Sequence, residues 1–186
     1  MHKLRTIEMS RLTVGEFKAS RKIPLVVVLD DVRSAYNVGS VFRTGDAFRI
    51  ERVCLCGITA TPPSAEIHKT ALGGEDSVDW TYYKDTADCV AALHERGYRV
   101  WSVEQVEHSV KLNRLDEVHI PGADGHGGVA VVFGNEVKGV RQDIVDMSDA
   151  CLEIPQFGTK HSLNVSVTAG IVIWEFARRL MASLRG

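Results

Sequence analysis

No stretch of this 186-residue chain is apolar for long enough to cross a bilayer, and its start, MHKLRTIEMS, lacks the apolar core of a secretory leader. A cytoplasmic location without membrane contact is the expectation. Cysteine is sparse. Cys54, Cys56, Cys89 and Cys151 form no C-x-x-C pair with partner ligands, and most lie in apolar strand-like runs, so they read as small buried hydrophobes and not as a disulfide framework or zinc site. A large charge of one sign is also missing: a formal net charge of −2 argues against a protein that coats nucleic acid nonspecifically. Internal repeats and long low-complexity linkers are absent as well.

What is present fits one domain with a real core, 45% of residues being hydrophobic and 25% charged. Positive charge is placed unevenly. Residues 1–22 carry Lys3, Arg5, Arg11, Lys18, Arg21 and Lys22 against only Glu8 and Glu16. This basic segment is expected to precede a globular domain over 23–186 and can help hold phosphate; a solvated amphipathic segment explains it equally well.

Apolar, β-branched runs recur at Leu25–Leu29, Val53–Cys56, Val78–Tyr82, Arg99–Val103, Val129–Phe133 and Cys151–Ile154. Helical patterns at Val38–Phe48, Thr86–Arg96 and Leu163–Leu184 separate or follow them. Six strands alternating with helices predict an α/β fold with a mainly parallel sheet. The glycine cluster Pro121–Gly128 precedes a strand, which disfavours a phosphate cradle and favours a mobile surface loop.

Three segments stand out chemically. In IPQFGTKHSLNVSVTAGIVIWE (154–175) a strand breaks at Pro155, passes a polar glycine loop and re-enters as an apolar helix, with Ser162 placed as its N-cap. Near Asn37 a second helix begins, with Val38, Val41, Phe42 and Gly45 on one face. Arg43 falls off that stripe and is expected to point back over Gly39, where the missing side chain leaves room for a substrate; pairing with Asp46 is the plainer alternative. In the third, Gly134-Asn135-Glu136 and Gly139 follow a buried strand, and small residues there permit close approach of a ligand to backbone. An ordinary turn with a solvated or helix-capping Glu136 would also account for it.

Together these segments, N37-V-G-S-V-F-R43-T, V132-F-G-N-E136-V-K-G-V140 and the 154–175 stretch, resemble in order and spacing the three motifs of the SpoU/TrmH-like RNA ribose methyltransferases of the SPOUT superfamily. The resemblance runs from Leu25 to Ala177. It implies a C-terminal trefoil knot, S-adenosylmethionine as cofactor, a homodimer with active sites near the subunit interface, and transfer of methyl to a ribose 2′-hydroxyl of tRNA or rRNA. By the same resemblance Asn37, Arg43, Glu136, Ser162 and Asn164 carry the chemistry. Gly134, Ile154, Leu163 and Asn164 hold the cofactor, Arg43 and Lys69 touch RNA, and no metal is required. A guanidinium is effectively always protonated, so Arg43 is expected to clamp phosphate or a developing alkoxide, leaving Glu136 or a phosphate to accept the proton.

This chain departs from the family by placing Ser34-Ala35-Tyr36 where a proline often precedes the asparagine, and Arg49 where glycine tends to follow Phe48. It also has no large N-terminal RNA-binding domain, so recognition is expected from the core, the basic segment or a partner. The rival readings are a noncatalytic RNA-binding module with the same fold and a metal-dependent phosphoester hydrolase using Asp30 and Asp31. His161 reads as a solvated loop histidine.

Overall fold

A computed structural model describes residues 2–122, 127–181 and 184. Seven strands form one sheet: β1 (Ile23–Asp30), β2 (Ile50–Cys56), β3 (Asp79–Tyr83), β4 (Tyr98–Val103), β5 (Val110–Lys111), β6 (Gly128–Phe133) and β7 (Ala150–Glu153). Their order is β3-β2-β1-β6-β4-β7-β5, with every pairing parallel. The six expected strands are all present. The seventh, β5, has two residues and pairs Val110 with Leu152, too short to leave a periodic signal in the sequence.

Parallel pairing demands crossovers, and these cover both faces of the sheet. The crossover helices are α2 (Ala35–Phe48), α3 (Ala65–Ala71), α4 (Gly74–Ser77), α5 (Thr86–Glu95) and α6 (Gln142–Met147), while α1 (Val14–Ala19) precedes the first strand and α7 (Val165–Leu180) follows the last. Alternate residues of β1 enter different cores. Leu25, Val27 and Leu29 pack with Phe42 of α2 and Phe176 of α7, whereas Val26 and Val28 pack with Val90 of α5 and Ile144 of α6. Cys54, Cys56 and Cys89 are buried in the second cluster and Cys151 is half-buried, all four as free thiols.

Several local expectations are corrected. Helix α2 starts at Ala35, before Asn37, because Ser34 caps it by accepting from the Asn37 N–H at 3.4 Å. Val38, Val41, Phe42 and Gly45 are buried as expected, but Gly39 leaves no room for a substrate: a Cβ there would overlap Thr70 and the Ile67 carbonyl of α3. The glycine instead lets α2 and α3 approach closely. Arg49 takes a left-handed φ of 51° at the C-cap, where glycine would be unstrained. Asp30, at the polar exit of β1, is fully buried and accepts from the Thr86 hydroxyl and the Arg141 N–H. Burial pushes its carboxyl pKa up, against the lowering effect of those two bonds. Of the Pro121–Gly128 loop, residues 123–126 lie outside the described residues.

The basic N-terminal segment is partly structural. Phe17 of α1 is buried in the main core, Lys22 donates to the Ser20 carbonyl at 2.7 Å, and Lys18 pairs with Asp79 at 3.2 Å.

Candidate active site

Because the strands are parallel, their carboxyl ends share one edge, and the segments leaving them must diverge there. The chain after β4, after β6 and after β7 lines a cleft of about 630 Å³ at that edge. Its walls include Val103–Val106, Gly134–Val140 and the loop through Ile154, Gln156 and His161–Val165.

The turn after β6 is rigid. Asn135 and Gly139 exchange backbone hydrogen bonds at 3.0 and 2.9 Å, and Gly139 has a φ of 70°. Asn135 Oδ1 accepts from the N–H groups of Val137 and Lys138 at 3.0 and 3.1 Å, while its Nδ2 donates to the Asp31 carbonyl at 2.8 Å. A Cβ on Gly134 would overlap the Gly139–Val140 backbone, so this glycine serves the turn as well as lining the cleft. Glu104 braces the far side by accepting from the Val140 N–H at 3.0 Å.

This turn presents Glu136 to the start of α2. Its carboxylate accepts from the backbone N–H groups of Arg33 (2.9 Å) and Ser34 (3.0 Å) and from Asn37 Nδ2 (3.0 Å). Desolvation pushes the carboxyl pKa up, but these donors and the Glu136 backbone N–H outweigh it and hold the group below the usual glutamate range. Glu136 is therefore a clamp on the approach to Asn37.

The network continues into the third segment. Asn164 Nδ2 donates to Asn37 Oδ1 at 3.3 Å, and Asn164 Oδ1 accepts from the N–H groups of Ser166 (2.9 Å) and Val167 (3.3 Å). Both amides are thereby oriented without ambiguity: each oxygen faces donors, and the Asn37 amide nitrogen faces a carboxylate. Asn164, not Ser162, is thus the cap of α7. Ser162 is too far upstream to meet the first free N–H groups, and it lies exposed on the cleft wall.

Of the residues singled out in the sequence, Gly134, Glu136, Ile154, Ser162, Leu163 and Asn164 line the cleft, and Asn37 joins them through Glu136 and Asn164. Arg43 and Lys69 do not line it. Arg43 is exposed six residues beyond Asn37 on α2, roughly 9 Å along the axis, and forms no pair with Asp46. Lys69 extends from α3 over the Tyr36 ring, 5.7 Å from its centroid. Asp31 accepts from the Ile58 N–H at 3.0 Å. Among the described residues no group of three or more His, Cys, Asp or Glu is arranged to hold an ion. Sequence reasoning missed Asn135 and Glu104. A Gly-Asn exit from a strand is a turn signal that marks Asn135, whereas nothing in the linear sequence joins Glu104 to Val140.

The model of the SpoU rRNA Methylase family matches residues 24–174. The chain belongs to that family. It is 30% identical over 173 residues to a 23S rRNA (guanosine-2′-O-)-methyltransferase of Vibrio cholerae, covering 91% of this chain and 65% of that protein. It is 28% identical over 178 residues to a tRNA (guanosine(18)-2′-O)-methyltransferase of Thermus thermophilus, covering 95% and 87% of the two chains. The crystal structure of an AdoMet-bound rRNA methyltransferase from Sinorhizobium meliloti superposes with a TM-score of 0.74 at 28% identity, covering 86% of this chain and 57% of that one. The chain thus spans just under two thirds of the Vibrio relative.

Proposed function

We propose that this SpoU-family chain transfers a methyl group from S-adenosylmethionine to a ribose 2′-hydroxyl of tRNA or rRNA. The observation that carries the reading is the hydrogen-bonded chain Glu136–Asn37–Asn164, which ties all three motif segments together at the mouth of one cleft. Support comes also from the relatives, which are named as 2′-O-methyltransferases.

The cleft fits the cofactor's chemistry. Its volume lies within the range of small-molecule sites, and it combines apolar Ile154 and Leu163 with the backbone groups of the turns at 134–140 and 154–164. Glu104, Glu136 and Glu153 line it against Lys138, and with Lys111 paired to Glu153 a small negative excess faces a cationic ligand. When bound, S-adenosylmethionine supplies an electrophilic methyl on a sulfonium. Gly134, Ile154, Leu163 and Asn164 are the residues assigned to hold it. Asn37 and Asn164 position the reacting groups without adding formal charge, with Ser162 beside them on the cleft wall. Arg43 stabilises phosphate or the developing alkoxide. Glu136 acts by fixing Asn37, since its lowered pKa and three donors make it a weak proton acceptor.

The further features belong to the same reading. A stripe of exposed apolar residues on α7 and just before it, at Leu163, Val167, Ile171 and Trp174, supports a homodimer. The C-terminal trefoil knot and a phosphate-holding role for residues 1–22 beside a catalytic domain over 23–186 rest on the resemblance and on charge, and the cytoplasmic location on the sequence's lack of a leader-like or bilayer-spanning apolar stretch. The test is incubation with labelled S-adenosylmethionine and total RNA from a strain lacking the gene, followed by mapping of the labelled nucleotide, with calorimetry of the cofactor in chelator. Metal-independent binding with ribose methylation is expected. Binding without methylation would favour the noncatalytic module, and binding only after addition of a divalent ion would favour the hydrolase.

A further inference from the structure

Tyr36 immediately precedes Asn37 in the first turn of α2, where a large aromatic side chain contributes little to helix formation. It is 45% exposed, and its hydroxyl meets no partner among the described residues. Its backbone is nevertheless held firmly. The Tyr36 carbonyl accepts from Ser40 Oγ at 2.9 Å and from Thr70 Oγ1 of α3 at 2.8 Å, so the ring stands on a fixed base between two helices.

Cations without carboxylate partners surround the ring. Arg96, Arg99, Arg114, Arg141, Arg178 and Arg179 each pair with a carboxylate, whereas others, such as Arg49, do not among the described residues. Arg33 and Arg43, on either side of Tyr36 in sequence, pair with none among the described residues, and the Lys69 ammonium lies over the Tyr36 ring. Cations left without carboxylates beside an exposed aromatic ring form the combination that binds single-stranded nucleic acid: charge follows the backbone while the ring receives a base. A duplex offers no free base face to such a ring.

Resting on the methyltransferase reading, we propose that Tyr36 is a stacking platform for an unpaired base next to the reacting ribose, with Arg33, Arg43 and Lys69 holding the flanking phosphates. The substrate is then an RNA whose target nucleotide is presented unstacked, in a loop or at a strand end. A ring seated one residue from Asn37 couples base position to the ribose that Asn37 and Asn164 align.

The experiment measures fluorescence anisotropy of the full chain with a labelled single-stranded oligoadenylate and with an RNA duplex of equal length, for wild type, Tyr36→Ala and Tyr36→Phe. Wild type should prefer the single strand. Tyr36→Ala should weaken single-strand binding about ten-fold or more and leave duplex binding unchanged, and Tyr36→Phe should retain wild-type affinity because the stacking face survives. Equal affinity of wild type for both RNAs, unchanged binding by Tyr36→Ala, or a loss in Tyr36→Phe as large as in Tyr36→Ala would each overturn the proposal. Methylation of total RNA is scored in parallel. Wild-type methylation with Tyr36-independent binding sinks this inference alone, whereas Tyr36-dependent single-strand binding without methylation of any RNA sinks the enzymatic reading alone.

Discussion

Removing the Glu136 carboxylate would test the site at its most connected point. Three donors converge on it, two of them the backbone N–H groups of Arg33 and Ser34 at the entry to α2. A hydrogen bond to a charged group contributes roughly 1.5–3 kcal/mol, but Glu136 is only half-buried and water would replace part of the loss. Glu136→Ala should therefore destabilise the fold by about 2–4 kcal/mol, and Glu136→Gln, which keeps one acceptor oxygen but turns an NH₂ toward a donor, by about 1–2 kcal/mol. Urea unfolding at neutral pH measures both. The effect has a defined pH window. Because the folded pKa lies below the unfolded value, the stabilisation is complete above the unfolded carboxyl pKa of about 4.3 and is lost as pH falls through the folded value. The gap between wild type and Glu136→Gln should narrow on acidification through that range. Unfolding of Glu136→Ala at the wild-type midpoint, or a gap that widens in acid, would refute the clamp.

Arg43→Ala should keep the fold and cofactor affinity but slow single-turnover methylation by about 10²-fold or more, with little recovery in Arg43→Lys, which lacks the planar fork; near-wild-type turnover would return Arg43 to a surface residue. Gly134→Ala should cost about 1–3 kcal/mol or more in unfolding experiments, because its Cβ meets backbone at Gly139–Val140 and not a flexible side chain. The α7 stripe predicts a homodimer, checked by mass measurement across a dilution series; an active monomer at micromolar concentration would contradict it.

Periodicity made the parallel α/β fold legible, since long apolar runs such as Leu25–Leu29 and Val129–Phe133 are buried on both faces and leave strong signals. It failed where a feature is defined by one or two residues. The two-residue β5 has no period, and capping by Asn164 instead of Ser162 depends on which side-chain oxygen reaches the free N–H groups. The glycines were harder still. Gly39 and Gly134 both read as openings for a ligand, yet each makes room for neighbouring protein, α3 in one case and the 139–140 backbone in the other. Sequence shows that a Cβ is missing but not what occupies the space. The site itself was legible only as three ordered motifs; the bonds joining Asn37 to residues 99 and 127 positions away come from topology.

The same geometry bears on proton transfer in the proposed reaction. Every carboxylate of the cleft is already engaged by donors, since Glu136 clamps α2, Glu104 holds the Val140 N–H, and Glu153 pairs with Lys111. The Glu153 carboxyl is held low by the Lys111 ammonium and the Ser109 hydroxyl, and Glu136 is held low by its donors against desolvation, so both are poor proton acceptors near neutrality. Arg43 cannot serve as a base because a guanidinium stays protonated. In the proposed reaction these carboxylates and Arg43 therefore contribute alignment and charge stabilisation, not proton removal. Glu136→Gln should then lower the single-turnover rate by a similar factor at every pH from about 6 to 9, through looser placement of Asn37, where misplacement of about 1 Å can cost about 10²-fold. Its pH profile should keep the wild-type shape. Loss of an acid limb in Glu136→Gln alone would identify Glu136 as the proton acceptor and overturn this division of labour.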